Sequence, residues 1–108
     1  MTSERRQAPR VGVQIWVEEA TEHERYFQHS ADLSTGGIYL KNTIPRPVGT
    51  IVNLSFSLPG SQDKFETKAE VVGAIAGEKE MGMSLKFIDL PPAHVEQIRK
   101  FIEAHAEG

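Results

Sequence analysis

Residues 51–87, IVNLSFSLPGSQDKFETKAEVVGAIAGEKEMGMSLKF, carry the strongest fold signal in the chain. Three runs inside this stretch put their larger apolar side chains at even spacing. The first holds Val52, Leu54, Phe56 and Leu58, the second Phe65, Thr67, Ala69, Val71 and Ile75, and the third Met81, Met83, Leu85 and Phe87. A period of two is the period of a strand, and its alternation with polar residues marks a strand buried on one face and wet on the other. The joints hold turn residues, Pro59-Gly60-Ser61 in one and Gly77 with Glu78 to Glu80 in the other. Connections this short favour antiparallel neighbours over parallel ones, which need a long crossover.

The same pattern extends toward the N-terminus. In VGVQIWV, residues 11–17, Val11, Val13, Ile15 and Val17 share one face while Gly12, Gln14 and Trp16 share the other. Shorter strands are expected around Tyr26 to Ala31 and Ile38 to Lys41, and Pro45 and Pro47 before Gly49 break the chain ahead of the next strand. About six short strands with no helix between them read as a mainly β fold. The candidates are a sandwich or, since closure removes exposed edges, a small barrel. Only the C-terminus has helical period: after Asp89 and the tandem Pro91-Pro92, Val95, Ile98 and Ile102 recur at spacings of three and four, with Phe101 beside them. Proline is tolerated there because the donor it lacks has no helical partner in a first turn. The helix is expected to pack against the sheet or cap one end of it.

At 108 residues the chain fits one domain, and 39% hydrophobic with 25% charged residues argues against disorder. No apolar run approaches the length of a membrane span, and MTSERRQAPR has no hydrophobic segment to serve as a signal peptide, so a cytoplasmic location is expected. With no cysteine there is no disulfide framework, no thiolate chemistry and no cysteine zinc site. The net charge of −3 is unevenly spread: residues 1–10 carry Arg5, Arg6 and Arg10 against Glu4, so the positive charge is local and the rest of the chain is acidic. Such a body repels a nucleic acid polymer or an anionic membrane, whereas its basic arm still suits a compact anion.

Two short segments carry the candidate chemistry. The first is the arm Glu4-Arg5-Arg6-Gln7-Ala8-Pro9-Arg10, in which Pro9 biases Ala8 toward an extended conformation. Guanidinium donates two parallel hydrogen bonds to phosphate, matches the O6 and N7 acceptors of guanine, and stacks on bases. Alone, such an arm is an ordinary solvated terminus. The second is Asp32-Leu33-Ser34-Thr35-Gly36-Gly37, expected as a turn between two short strands, where adjacent glycines allow positive φ and close approach of a ligand. A carboxylate there accepts from the two adjacent donors on the Watson–Crick edge of guanine, and a serine hydroxyl bonds a base or a phosphate.

Arg6-x-x-x-Arg10 and Asp32-x-Ser34-x-x-Gly37, with 21 residues between Arg10 and Asp32, together resemble the two-part signature of the PilZ domain family, whose members bind the bacterial second messenger cyclic di-GMP. The pair is far more specific than either half, and the likeness extends through DLSTGGIYL, PVGTIVNLSFSLPG, the strand at Ala69 to Val72, GMSLKF and the final helix. The resemblance implies a six-stranded antiparallel β-barrel with a C-terminal α-helix. A flexible ligand-binding arm over residues 1–10 would precede a single barrel domain over 11–108. It further implies that Arg6 and Arg10 bind phosphate and guanine, that Asp32 and Ser34 contact guanine or phosphate, and that Gly37 shapes the turn with Gly36 adding flexibility. Arg5, just before the first motif arginine, would favour an intercalated pair of ligands. Trp16 and Tyr39 are candidates to line the pocket, with buried or half-buried packing the expected role of each.

Other readings are weaker. His29, Asp32 and Ser34 supply the residue types of a hydrolase triad, but within six positions they do not form a nucleophile–base–orienter line, and no enzyme is expected. His23, Glu24 and His29 match no metal spacing, while His94 and His105 are expected exposed or at the rim of the helix. Single-stranded nucleic acid needs more than 7% aromatics and a wider basic groove. The remaining rival is a PilZ-like protein-interaction adaptor that binds no nucleotide. The expected partners are therefore cyclic di-GMP, with no other cofactor and no metal, and an unidentified downstream protein in motility, adhesion or exopolysaccharide control.

Overall fold

The computed structural model describes residues 10–106, with the backbone alone for Arg10, Ala31 and Ala106. Its elements in chain order are β1 (Arg10–Val11), β2 (Trp16–Ala20), β3 (Arg25–Ser34), β4 (Gly37–Lys41), β5 (Ile51–Phe56), β6 (Phe65–Ala76), β7 (Met81–Ile88) and α1 (Pro92–Ala106). Every strand pairing is antiparallel. Neighbours run β3-β2-β5-β6-β7-β4, and β4 pairs back onto β3, so six strands close a ring. The seventh, β1, adds to the far end of β3.

That seventh strand arises because residues 11–17 do not form the single strand their alternation predicts. Gly12 to Ile15 leave the ladder between β1 and β2. Ser30, fully buried on β3, takes up their backbone: Ile15 N donates to Ser30 Oγ at 3.1 Å, Ser30 Oγ donates to Val13 O at 2.7 Å, and Ser30 N donates to Ile15 O at 3.0 Å. One hydroxyl, as donor and acceptor, replaces ladder bonds that buried amides would otherwise lack. The facial alternation survives the break, with Ile15 and Val17 buried and Gly12, Gln14 and Trp16 exposed.

The inward faces of the ring form one core around Leu33, Ile38, Leu40, Leu54, Val71, Met83 and Leu85. Near one end Phe56 stacks between Phe65 and Phe87, with centroids 5.4 and 6.0 Å away. Helix α1 closes that end by burying Ile98 and Ile102, while Gln97 Nε2 donates to Asp63 Oδ2 at 3.0 Å. His94, expected exposed or at the rim, is half-buried with its ring 4.4 Å from that of Phe65, because the helix is pulled onto the aromatic stack. Two residues of the apolar runs also leave the core. A bulge between Val71 and Gly73 inserts an extra residue and reverses the facing of the rest of β6, so Ile75 is exposed, and Met81, paired with Ala76 at the rim, is exposed with it.

Two turns carry glycine where φ is positive. Ser61 N donates to Leu58 O across Pro59-Gly60 with Gly60 at φ +83°, and Thr50 N donates to Pro47 O across Val48-Gly49 with Gly49 at φ +100°. Both have the form of a type II turn, which asks for glycine at its third position.

The inward parity of Val11, Val13, Ile15 and Val17 continues to Glu19, which is buried at the end of the ring away from α1. Its carboxylate accepts from Gln28 Nε2 at 2.7 Å and from Arg46 Nε, and Arg46 Nη1 also reaches Glu24 Oε1 at 3.0 Å. Burial by itself would lower the Arg46 pKa, but its bonds to Glu19 and Glu24 outweigh that and hold it above the ordinary range. Removing one member of a buried pair leaves the other charge without compensation, at about 3 kcal/mol or more. Arg46→Met is therefore expected to destabilise the fold by about 3 kcal/mol in chemical denaturation, and Glu19→Leu in the Arg46→Met background to recover a large part of it. Additive losses in the double variant would count against a coupled pair.

Candidate ligand-binding site

The two motif segments meet in the sheet. Arg10 is the register partner of Ser34, and Val11 of Leu33, so the end of the arm lies beside the Asp32–Gly37 segment, whose first three residues complete β3 and leave only Thr35-Gly36 as the turn where a longer one was expected. Partners in an antiparallel pair have Cα atoms roughly 4.5–5.5 Å apart, which brings Arg10 and Ser34, with 23 residues between them in the chain, to one strand spacing. Arg5 and Arg6 lie outside the described residues, as does most of the arm expected over 1–10.

The turn is built from its own side chains. Ser34 is buried, and its Oγ accepts from Gly36 N and Gly37 N, both at 3.2 Å, while donating to Gly37 O at 3.4 Å. The hydroxyl thus shapes the backbone that faces outward. Neither Gly36 nor Gly37 has positive φ, so the freedom expected of adjacent glycines is not what this turn uses. Gly37 is instead fixed by closeness: a Cβ there would lie 2.2 Å from Leu85 O, a backbone atom of β7. At exposed Gly36 the nearest atom, Ser34 Oγ, would be 4.0 Å away.

Asp32 follows a β-bulge between Ser30 and Asp32 and stands opposite Tyr39 on β4. Tyr39 is half-buried as expected, and its hydroxyl donates to Glu80 Oε2 at 2.9 Å. Its ring lies across Gly82, where a Cβ would come within 2.3 Å of the Tyr39 hydroxyl. Burial first, then the bond to Glu80 and the charges of Glu80 and Asp32, raise the Tyr39 pKa above its ordinary 10.0. The sequence offered one signal for this arrangement, a glycine inside a strand, which marks close approach of another group. Trp16 departs from expectation: it is 62% exposed, because its parity on β2 places it outside the ring.

Elsewhere the polar groups serve one another. A cavity of about 520 Å³ opens at the far end between Glu19, Tyr26, Gln28 and Arg46, but its carboxylates are engaged by Arg46 and it lies away from the motif turn. His23, Glu24 and His29 do not assemble: His23 contacts Glu22 at 3.7 Å, Glu24 binds Arg46, and the His29 ring lies tilted against Trp16. Among the described residues no three His, Asp or Glu side chains form a group that would hold a metal ion, and no helix is long and apolar enough to cross a membrane.

Comparison with known proteins agrees with this fold. The family model described as the PilZ domain matches residues 4–104, which includes both motif segments. No curated protein gives a sequence match. Among solved structures, the Bacillus subtilis inhibitor of motility MotI/DgrA superposes with a TM-score of 0.84 at 21% identity over 95% of this chain, which spans 52% of MotI. The PilZ domain with cyclic di-GMP of YcgR from Escherichia coli gives 0.72 at 16% identity, covering 95% of this chain and 92% of that one. The K. pneumonia MrkH–cyclic di-GMP complex gives 0.70 at 17%, covering 96% and 56% respectively.

Two outcomes test the site's construction. Gly37→Ala is expected to lower unfolding free energy by about 1–3 kcal/mol, since rigid backbone on β7 cannot yield, while Gly36→Ala leaves it nearly unchanged; equal effects in chemical denaturation would contradict the close approach at Gly37. The Tyr39 phenol, raised in the folded state, favours folding below the ordinary phenol range, and that contribution fades as pH rises through the folded value. Glu80→Gln is expected to bring the Tyr39 titration back down in ultraviolet difference spectra, and an unmoved curve would rule out control by Glu80.

Proposed function

The chain belongs to the PilZ domain family, and from that premise we propose that it is a receptor for cyclic di-GMP that changes conformation on binding and so signals to a partner protein. The observation that carries this reading is the register of Arg10 against Ser34, which joins the basic arm to the outward-facing turn at Asp32. On this reading Arg6 and Arg10 clamp phosphate and guanine with charge-assisted, bidentate bonds. Asp32 accepts from the Watson–Crick edge of a guanine. Ser34 and Gly37 hold the turn in shape, Ser34 by bonding its amides and Gly37 by letting β7 come close. Gly36 leaves the surface bare beside the ligand, and Arg5 sets whether one ligand or an intercalated pair is held.

The arm over residues 1–10 closes over the ligand, losing segmental freedom and gaining charged hydrogen bonds, and the arm with its ligand forms the surface a cytoplasmic partner reads. Nothing in this scheme asks for a catalytic group or a metal; it is a binding equilibrium coupled to a local rearrangement. A role in motility control is consistent with the fold-level similarity to MotI and belongs to the same proposal.

Each charged hydrogen bond is worth about 1.5–3 kcal/mol when desolvated, so losing an arginine that makes one or more weakens binding by about tenfold to well over a hundredfold. Calorimetric titration with cyclic di-GMP is expected to show binding to the wild-type chain and a loss of that size in Arg6→Ala and Arg10→Ala, with circular dichroism unchanged. Variants that bind like wild type would overturn the assignment of the arginines, and the stoichiometry of the same titration separates one ligand from two.

A further inference from the structure

We propose that Trp16 is a stacking platform for a guanine base of the ligand held at the Asp32–Gly37 turn, an inference that rests on the receptor reading above. Trp16 is the chain's single tryptophan and is 62% exposed, although an indole buried in a core would remove a large apolar area from water. Its ring is nonetheless held in place. Trp16 is the register partner of His29, and the two rings stand 3.9 Å apart at an interplanar angle of 43°. His29 therefore steadies the indole from one side, while most of the ring stays open to solvent.

Position makes this platform relevant to the ligand. His29 and Asp32 lie on the same strand, β3, three residues apart across the bulge, which is about 10 Å at the rise of a strand. Trp16 sits one strand spacing to the side, on β2, with Gly12 and Gln14 exposed between it and Arg10. A flat aromatic face, held by a neighbour and reachable from a guanine-binding carboxylate, suits a purine: it adds stacking energy where Asp32 adds hydrogen bonds.

Phe27 provides the control. It is 66% exposed and shares the outer face, but it pairs with Glu18, two positions farther from Asp32 along β3. A general need for apolar surface would engage both aromatics, whereas stacking at the ligand engages Trp16 alone.

Stacking of a base on an aromatic side chain is worth about 1–3 kcal/mol by alanine substitution, or about five- to a hundredfold in affinity. In titrations with cyclic di-GMP, the tryptophan emission is expected to be quenched with the midpoint seen by calorimetry. Trp16→Ala is expected to weaken binding by that factor, Trp16→Phe to retain most of the affinity, and Phe27→Ala to bind as wild type, each keeping a native circular-dichroism spectrum. Heat of binding with unchanged emission and full affinity in Trp16→Ala would overturn the platform and leave the receptor reading standing. Equal losses in Trp16→Ala and Phe27→Ala would also overturn it. Absence of any binding heat in the wild-type chain would overturn the receptor reading and the platform together.

Discussion

β3 has to serve three neighbours, and the way it does so governs both the closure of the ring and the position of the site. Its first half pairs with β2, its second half with β4, and its last two residues with β1. A straight strand of ten residues with its two edges committed to one partner each would leave no place for β1. The bulge between Ser30 and Asp32 bends β3, and the buried Ser30 hydroxyl carries the chain between β1 and β2 through a gap in the ladder. Without an internal donor and acceptor at Ser30, the amide of Ile15 and the carbonyl of Val13 would be desolvated at a cost of about 1–3 kcal/mol each.

The same bend aims the candidate site. After the bulge, Leu33 enters the core and Ser34 is buried against the turn, while Asp32 stands opposite Tyr39. The turn is then locked from two sides, by Ser34 Oγ on the amides of Gly36 and Gly37 and by β7 passing within contact of Gly37. A surface made of rigid backbone needs no reordering of its own to bind. Bracing is divided between the two ends of the ring: the aromatic stack and α1 close one, and the Glu19–Arg46 pair holds the other.

Much of the fold is legible in the chain, and particular residues show why. The even spacing at Val52 to Leu58 and at Met83 to Phe87 names strands correctly because half-buried strands must alternate. The motif residues can be recognised because their spacing is a local property of the chain. Glu19 is equally legible, since it continues the inward parity of Val13, Ile15 and Val17, but a glutamate reads as surface until a partner such as Arg46, 27 positions away, is known. Ile75 misleads because a bulge at Val72 is a property of two strands, β6 and β7, and leaves no mark in one.

Strand content, the helix at Pro92–Ala106, the local concentration of arginine and the identity of the turn residues at Asp32 to Gly37 were all set in the sequence. They follow from composition, period and short-range chemistry, which act between residues near in the chain. It took the folded arrangement to show that six strands close on one another, that Arg10 stands beside Ser34, that Ser34 commits its hydroxyl to the turn, and that Trp16 remains outside with His29 against it. Those outcomes depend on long-range register, in which a one-residue slip exchanges the buried and exposed faces, and register is settled when strands pair and not before.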